Sequence, residues 1–503
     1  NEKRGAVRKR KGRWRIEGGR RAYTHIPIRH TRHIRCARNA ADLVDAAVAT
    51  TTQFDVRRAH LKYGAMRRAY IHASITRSQR CGVRHTVHHD ARHIHIWHAV
   101  VEETNGGASI NARGFPTMLD EQLTHALRVR EAEGRRRRLL LSDAAEAERL
   151  ARLVDFSSND YVSVARNPRV RRAWLERLGA SDEAFGSTGS RLLDGDSTTH
   201  TQLEHKLAAY FHAPAALLCN TGFDANVSLL STIPQPGDAI VYDELVHASM
   251  HDGMRKSRAQ TCVAFRHNDP ADLGRVLANL RPHNNVFLAL ESVYSMDGTI
   301  CALPDLIKVL EQHVPHRNTR HILVDEAHGA GVYGQGGRGV CNALHCHVSA
   351  RLVTFGKAFG CAGAVLLVPV LWREYLLNYA RPLIYSTALP PSQAAAIDVV
   401  ISAWERGEME AAVQMLHTRV AELYTALGLR SDAALPPAPI VQARSAHAKR
   451  LAAHVQAAGF LVRAVCYPTV PRDKERVRVC VHAHNTAEDV ARLAHVLRTL
   501  SLL

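Results

Sequence analysis

From about residue 113 onward the sequence repeats one pattern: a short apolar run, a turn of small residues, then an amphipathic stretch. The apolar runs fall at 215–219, 239–242, 263–266, 286–291, 322–325, 352–355 and 364–368, with helical patterns such as 200–211 and 271–280 between most of them. Runs without polar alternation are strands covered on both faces, and helical crossovers between them make a largely parallel sheet. The spacing therefore predicts an α/β fold. Residues 122–138 read as a basic helix and 155–161 as a strand leaving a turn. After Pro391, helical stretches at 392–407 and 408–427, a strand at 476–481 and a helix at 487–500 predict a second, smaller α+β domain.

Two of these strand ends carry chemistry. Leu352-Val353-Thr354-Phe355-Gly356-Lys357 brings an apolar strand to a lysine beside a glycine. Partial desolvation there favours the neutral amine, a nucleophile able to form a Schiff base. About thirty residues earlier, Ile322-Leu323-Val324-Asp325-Glu326-Ala327-His328 ends a strand in an acid, with a histidine three residues on. A lysine for an aldehyde and a carboxylate for a pyridine nitrogen are the parts a pyridoxal phosphate (PLP) site needs.

Rival readings fail on detail. Asp325-Glu326-Ala327-His328 spells a helicase box, yet the only Gly-Lys pair, Gly356-Lys357, is followed by Ala358 rather than the Ser or Thr of a phosphate-binding loop. Gly329-Ala330-Gly331-Val332-Tyr333-Gly334 fits a dinucleotide fingerprint, but no acid follows between Glu326 and Glu374 to hold a ribose. Cys341, His345, Cys346 and His347 stand too close together to encircle an ion, so no metal is expected.

The charge is uneven. The first 100 residues hold 23 Lys and Arg against 6 Asp and Glu, and 11 of the 31 histidines. No helical or strand period survives there, so residues 1–112 are expected to be disordered or a spurious gene start, with no function assigned. Beyond them the balance is ordinary, which argues against nucleic acid as a partner. No run approaches the roughly 18 apolar residues of a membrane span. The ten scattered cysteines suit a reduced compartment, and a soluble cytoplasmic protein is expected. The Arg-rich start and the terminal Ser501-Leu502-Leu503 leave mitochondrial or peroxisomal targeting open.

The motifs then fall into a familiar order. Phe156-Ser157-Ser158-Asn159-Asp160-Tyr161, Gly186-Ser187-Thr188-Gly189-Ser190-Arg191, Thr221-Gly222-Phe223 and His247-Ala248-Ser249 come first. Ser295-Met296-Asp297-Gly298, the Asp325 and Lys357 motifs, Tyr385-Ser386-Thr387 and Pro468-Thr469-Val470-Pro471 follow. Over residues 113–503 the chain resembles the α-oxoamine synthases, PLP enzymes of fold type I. The resemblance implies an N-terminal arm at 113–165, a large cofactor domain at 166–395 and a small domain at 396–503.

It also implies roles. Lys357 resembles the Schiff-base lysine, Asp325 the partner of the pyridine nitrogen, His328 the partner of the ring hydroxyl and His247 the ring stacked on the pyridine. Gly222, Phe223 and Thr354 would hold the phosphate, and Ser295 would lie near the cofactor. Ser386 and Thr387 would reach it from a neighbouring subunit, which implies a homodimer with shared sites. Arg478 would grip the amino-acid carboxylate, beside Asn159, with Arg137, Ser190 and Thr469 also on the substrate side.

The implied reaction joins an amino acid to an acyl-CoA with loss of CoA and carbon dioxide, giving an α-amino ketone. Ser190 stands where glycine-using members carry threonine, which favours L-alanine. The glycine-rich motif is closest to the members that take pimeloyl-CoA in biotin biosynthesis. Glycine with succinyl-CoA, serine with palmitoyl-CoA, a secondary-metabolic acyltransferase or a catalytically silent binding protein of the same fold are the alternatives. One departure, Cys466-Tyr467 where bacterial relatives often carry Arg-Pro, bears on the acyl chain.

Overall fold

The apolar runs assemble into one seven-stranded sheet. A computed structural model describes residues 117–139, 143–431 and 433–501; the leader lies outside them. After β1 (Val154–Asp155), the sheet is built from β2 (Ala215–Cys219), β3 (Ala239–Asp243), β4 (Thr261–Phe265), β5 (Val286–Glu291), β6 (Arg320–Asp325), β7 (Ala350–Thr354) and β8 (Ala364–Val368). Their order is β2-β8-β7-β6-β5-β3-β4. Every neighbouring pair is parallel except those made by β8, which follows β7 through a short turn and runs antiparallel to β7 and β2. The parallel strands therefore end along one edge, where ligands of open α/β sheets sit. Asp243, Glu291, Asp325 and Thr354 are the last residues of β3, β5, β6 and β7.

Helices α1 (Met118–Ala132), α2 (Ala144–Ala151), α3 (Pro168–Gly179) and α4 (Thr198–Tyr210) precede the sheet. Between β2 and β4 come α5 (Gly222–Thr232) and α6 (Ala248–Arg255), which pack closely. Gly253 permits this: a Cβ there would lie 2.9 Å from the Leu230 Cβ and 3.0 Å from the Asn226 carbonyl oxygen. Helices α7 (Pro270–Ala278), α8 (Leu303–His313) and α9 (Val370–Tyr379) complete the crossovers and their flanks.

The smaller α+β part follows, with α10 (Pro391–Glu405) leading into α11 (Glu410–Leu427). Gly407, at φ +73°, breaks the two helices apart. Strands β9 (Ile440–Arg444), β11 (Arg463–Val465) and β12 (Arg476–Cys480) form an antiparallel sheet in the order β11-β12-β9. Helices α12 (Ala448–Ala457) and α13 (Ala487–Ser501) cover it, and β10 (Phe460–Leu461) pairs with β1 in parallel.

Two predicted elements are shorter than the sequence suggested. The strand expected at 155–161 stops at Asp155, because that carboxylate accepts the backbone N–H groups of Ser157 (2.9 Å) and Ser158 (3.0 Å) and turns the chain. The segment is then held beside β12 by single bonds from Cys480 N–H to the Phe156 carbonyl and from Ala483 N–H to the Tyr161 carbonyl, both 2.8 Å. The helix expected over 122–138 ends at Ala132, since Gly134 adopts φ +64°. Arg135 to Arg138 thereby leave the helix.

Candidate active site

Lys357 follows the tip of β7, and its Nζ lies 2.6 Å from His328 Nε2. Burial pulls the Lys357 ammonium down to about 8, against the opposing pull of the Asp325 carboxylate. His328 stands just after β6, and its Nδ1 lies 2.7 Å from the Tyr161 hydroxyl. Burial, then the nearby Lys357 and Arg478 charges, hold His328 well below the usual imidazole range, so the ring is neutral.

Tyr161 is fully buried, and its hydroxyl is a junction. It donates to Asn159 Oδ1 (3.1 Å) and accepts from Arg478 (3.2 Å). Arg478 also donates to Asn159 Oδ1 (3.0 Å) and to the Ser295 carbonyl (2.7 Å). Among the described residues it has no carboxylate partner, unlike its strand neighbour Arg476, whose guanidinium is buried against Asp297 and Gln442. An unneutralised guanidinium facing the lysine cluster is a place for an anion.

Asp325 is held from two sides, by the Ala327 N–H (2.9 Å) and the Asn226 side-chain amide (2.7 Å). Its neighbour Glu326 is a structural acid instead. It is fully buried and accepts the Val340 and Cys341 N–H groups at 3.0 and 2.7 Å, and Gly329 and Gly339 pack against it too closely for any side chain. The three glycines of the dinucleotide-like spacing thus answer to three different close approaches: Gly329 to this carboxylate, Gly331 to the Ala358 Cβ and Gly334 to the Gly339 carbonyl.

His247 caps α6: its Nδ1 accepts the Ser249 N–H at 3.2 Å. Phe223 meets it edge-on, with centroids 6.4 Å apart. Gly222 opens α5 beside Thr354, whose Oγ1 would lie 3.5 Å from a Cβ at that position. The free N–H groups of this helix start, behind its Thr221 cap, form an anion cradle.

Arg137, Thr469 and Arg478 line one open cavity of about 340 Å³, together with Ser157 and Met296. Tyr467 lies on its wall, flanked by the guanidinium groups of Arg135 (5.1 Å) and Arg472 (4.6 Å). Ser190, Ser386 and Thr387 make no hydrogen bond to Lys357, His328 or Asp325 among the described residues, while the Thr387 carbonyl accepts from the Asn220 side chain at 2.7 Å, two residues before Gly222. The three share a segment, because Ala388 N–H donates to the Gly189 carbonyl at 2.8 Å. The Ser190 hydroxyl is buried with no partner, whereas Ser386 and Thr387 are exposed.

Four residues of the site were not singled out from the sequence: Tyr161, Asn226, Ser249 and Glu291. Tyr161 and Ser249 lay inside motifs already noted. Glu291 carried the same signal as Asp325, an acid closing an apolar strand, and it stands opposite Asp325 in the β5–β6 register. Asn226 showed nothing beyond its place one turn after Gly222.

Glu291 is buried with Oε1 unpartnered, and burial followed by the Asp325 charge pushes its carboxyl well above the usual range. An acid raised in the folded state binds more protons folded than unfolded. Its contribution is then complete below the ordinary carboxylate pKa and falls away as pH rises toward the folded value. Glu291→Gln apoprotein should therefore melt above wild type, by a margin that widens from pH 5.5 to pH 8. A margin that stays flat or reverses would show that Glu291 is ionised.

Comparison with known proteins fits this geometry. Residues 151–497 match the family described as aminotransferase class I and II. An 8-amino-7-oxononanoate synthase from Emericella nidulans is 41% identical over 404 residues, covering 76% of this chain and 96% of that protein. The enzyme of that name from Photobacterium profundum is 35% identical, over 75% and 96%. The chain belongs to the aminotransferase class I and II family. Within it, the chain is an α-oxoamine synthase, a PLP-dependent acyltransferase.

Solved structures agree on the architecture. The Sphingomonas wittichii serine palmitoyltransferase superposes with a TM-score of 0.63 at 28% identity, covering 69% of this chain and 86% of that one. The Francisella tularensis 8-amino-7-oxononanoate synthase gives 0.56 at 25%, over 69% and 97%. The fold is that of the fold-type I PLP enzymes, as the sequence implied.

The cofactor is PLP, and the residues fit it. A lowered lysine, a carboxylate held by two donors, a neutral histidine and a glycine helix start converge at one sheet edge. No helix among the described residues is long and apolar enough to cross a membrane.

Proposed function

We propose that this α-oxoamine synthase joins L-alanine to pimeloyl-CoA, releasing CoA and carbon dioxide and leaving 8-amino-7-oxononanoate, a step of biotin biosynthesis. The observation that carries the reading is the 41% identity to an 8-amino-7-oxononanoate synthase across 96% of that protein's length. The fold likeness to serine palmitoyltransferase does not separate the two substrates, since both kinds of enzyme superpose on the same core.

PLP supplies the electron sink that stabilises negative charge at the amino-acid α-carbon. Lys357 would hold the aldehyde and move the proton at that carbon, its lowered pKa leaving about a tenth of the amine neutral at pH 7, far more than in an ordinary lysine. Asp325 would keep the pyridine nitrogen protonated, and His328 would face the ring hydroxyl. His247 would cover one face of the ring, while Gly222, Phe223 and Thr354 hold the phosphate. Ser295 would lie near the cofactor, consistent with its carbonyl fixing Arg478.

Arg478 and Asn159 would orient the amino-acid carboxylate by paired bonds. The cavity of Arg137 and Thr469 would admit the acyl chain toward them. Ser190, Ser386 and Thr387, which make no hydrogen bond to Lys357 among the described residues, would complete a neighbouring subunit's site in a homodimer. The large and small domains proposed at 166–395 and 396–503 meet within α10, which crosses that boundary unbroken.

Substrate identity is tested by free-thiol release. Wild-type protein loaded with PLP is offered alanine, glycine and serine, each with pimeloyl-, succinyl- and palmitoyl-CoA. Alanine with pimeloyl-CoA should lead glycine by about tenfold or more in kcat/KM, the scale of one methyl group in a fitted pocket. Faster release with glycine and succinyl-CoA, or with serine and palmitoyl-CoA, would overturn the assignment.

A further inference from the structure

The two polar ends expected to touch the cofactor ring, Asp325 and His247, stand on different elements yet are joined through buried side chains. Asn226, on α5, uses its amide nitrogen twice: it donates to Asp325 Oδ2 at 2.7 Å and to Ser249 Oγ at 3.0 Å. Ser249 Oγ in turn lies 2.8 Å from His247 Nδ1. Asn226 and Ser249 are 3% and 0% exposed, so water does not compete for these bonds.

The direction of the chain follows from its donors. The Ser249 backbone N–H points at His247 Nδ1, so that nitrogen carries a lone pair and the ring proton sits on Nε2. Ser249 Oγ accepts from Asn226 and is left to donate its own hydrogen to Nδ1. Turning the Asn226 amide over would set its oxygen against the Asp325 carboxylate, so its orientation is fixed too. The close approach of α5 and α6 at Gly253 is what lets the two side chains meet.

We propose that Asn226 and Ser249 are positioning residues that lock His247 into a single neutral tautomer and bind it to Asp325 as one unit. This rests on the cofactor reading above. A protonated His247 would turn an N–H toward both donors at Nδ1, the backbone N–H of residue 249 and the Ser249 hydroxyl; the backbone donor remains in Ser249→Ala, and the hydroxyl, held by Asn226, is the part of the relay that the variant removes. The other titratable groups facing His247 are Asp325, Lys357, His251, Glu291 and His328.

The test compares wild type with Ser249→Ala, Ser249→Thr and Asn226→Ala between pH 6 and pH 8. In the holoenzymes, PLP dissociation constants are measured by equilibrium dialysis. Ser249→Ala should weaken PLP a few-fold at pH 8 and about tenfold at pH 6, the scale of a lost hydrogen bond once His247 can protonate. Ser249→Thr should restore the wild-type profile, and Asn226→Ala should follow Ser249→Ala.

A weakening that is the same at every pH would reduce the two residues to packing and overturn the proposal. Apoprotein melting curves give an answer that does not need the cofactor. The deficit of Ser249→Ala against wild type should be widest at pH 8 and narrow toward pH 6, where the variant's His247 can take up a proton that the wild-type relay excludes. Wild-type protein that takes up no PLP would sink the cofactor reading, while these curves would still decide the relay; a pH-independent deficit would overturn it.

Discussion

Lys357→Ala is expected to lower turnover on the order of 10⁴-fold, the upper range for loss of a positioned proton-transfer group. Wild-type protein incubated with PLP and reduced with borohydride should carry the cofactor covalently on Lys357, and the variant should carry none. The variant should still bind PLP, since Asp325, His247 and the Gly222 helix start remain. The pH dependence is a sharper check. Only the neutral amine attacks an aldehyde, and Lys357 is held at about 8. Capture of PLP by the apoprotein should therefore accelerate about tenfold per pH unit at lower pH and level off near pH 8. A rate that keeps climbing toward pH 10 would mean an ordinary, solvated lysine.

Much of this site could be read before any coordinates because its parts sit at strand ends. A run such as 322–325 or 352–355 fixes a strand by burial alone, and the polar residue that ends it must emerge at the sheet edge. That argument placed Asp325, His328 and Lys357 together and would have placed Glu291, had the acid closing 286–291 been weighed in the same way. What the sequence could not show depended on contacts between distant segments. Tyr161 reaches His328 across 167 residues and Asn226 reaches Asp325 across 99. No local period encodes either distance. The small domain was harder still: β9, β10, β11 and α12 were not predicted. Their strands are short and tied to the arm and to β12 by pairing that only the folded chain reveals.

Arg476 and Arg478 show the same limit on a smaller scale, and they set the second large effect. Both arginines point to one face of β12, so the alternation of the strand cannot tell them apart. The structure separates them by their partners: Arg476 is buried against Asp297, while Arg478 faces the lysine cluster with no acid to neutralise it among the described residues. Arg478→Ala should raise KM for the amino acid about 100-fold or more, since two charge-assisted bonds to a carboxylate are worth on the order of 3 kcal/mol together. PLP affinity should change much less than KM, because that guanidinium reaches the proposed cofactor contacts only indirectly, through Tyr161 to His328 and through the Ser295 carbonyl. Arg478→Lys should recover only part of the loss, as an ammonium cannot reproduce the planar fork. Arg476→Ala should behave in the opposite way, leaving Asp297 unpaired and costing on the order of 3 kcal/mol of stability. Its KM should be near wild type at temperatures where it stays folded. A KM within threefold of wild type for Arg478→Ala, or an equal loss of PLP, would remove Arg478 from the substrate side of the site.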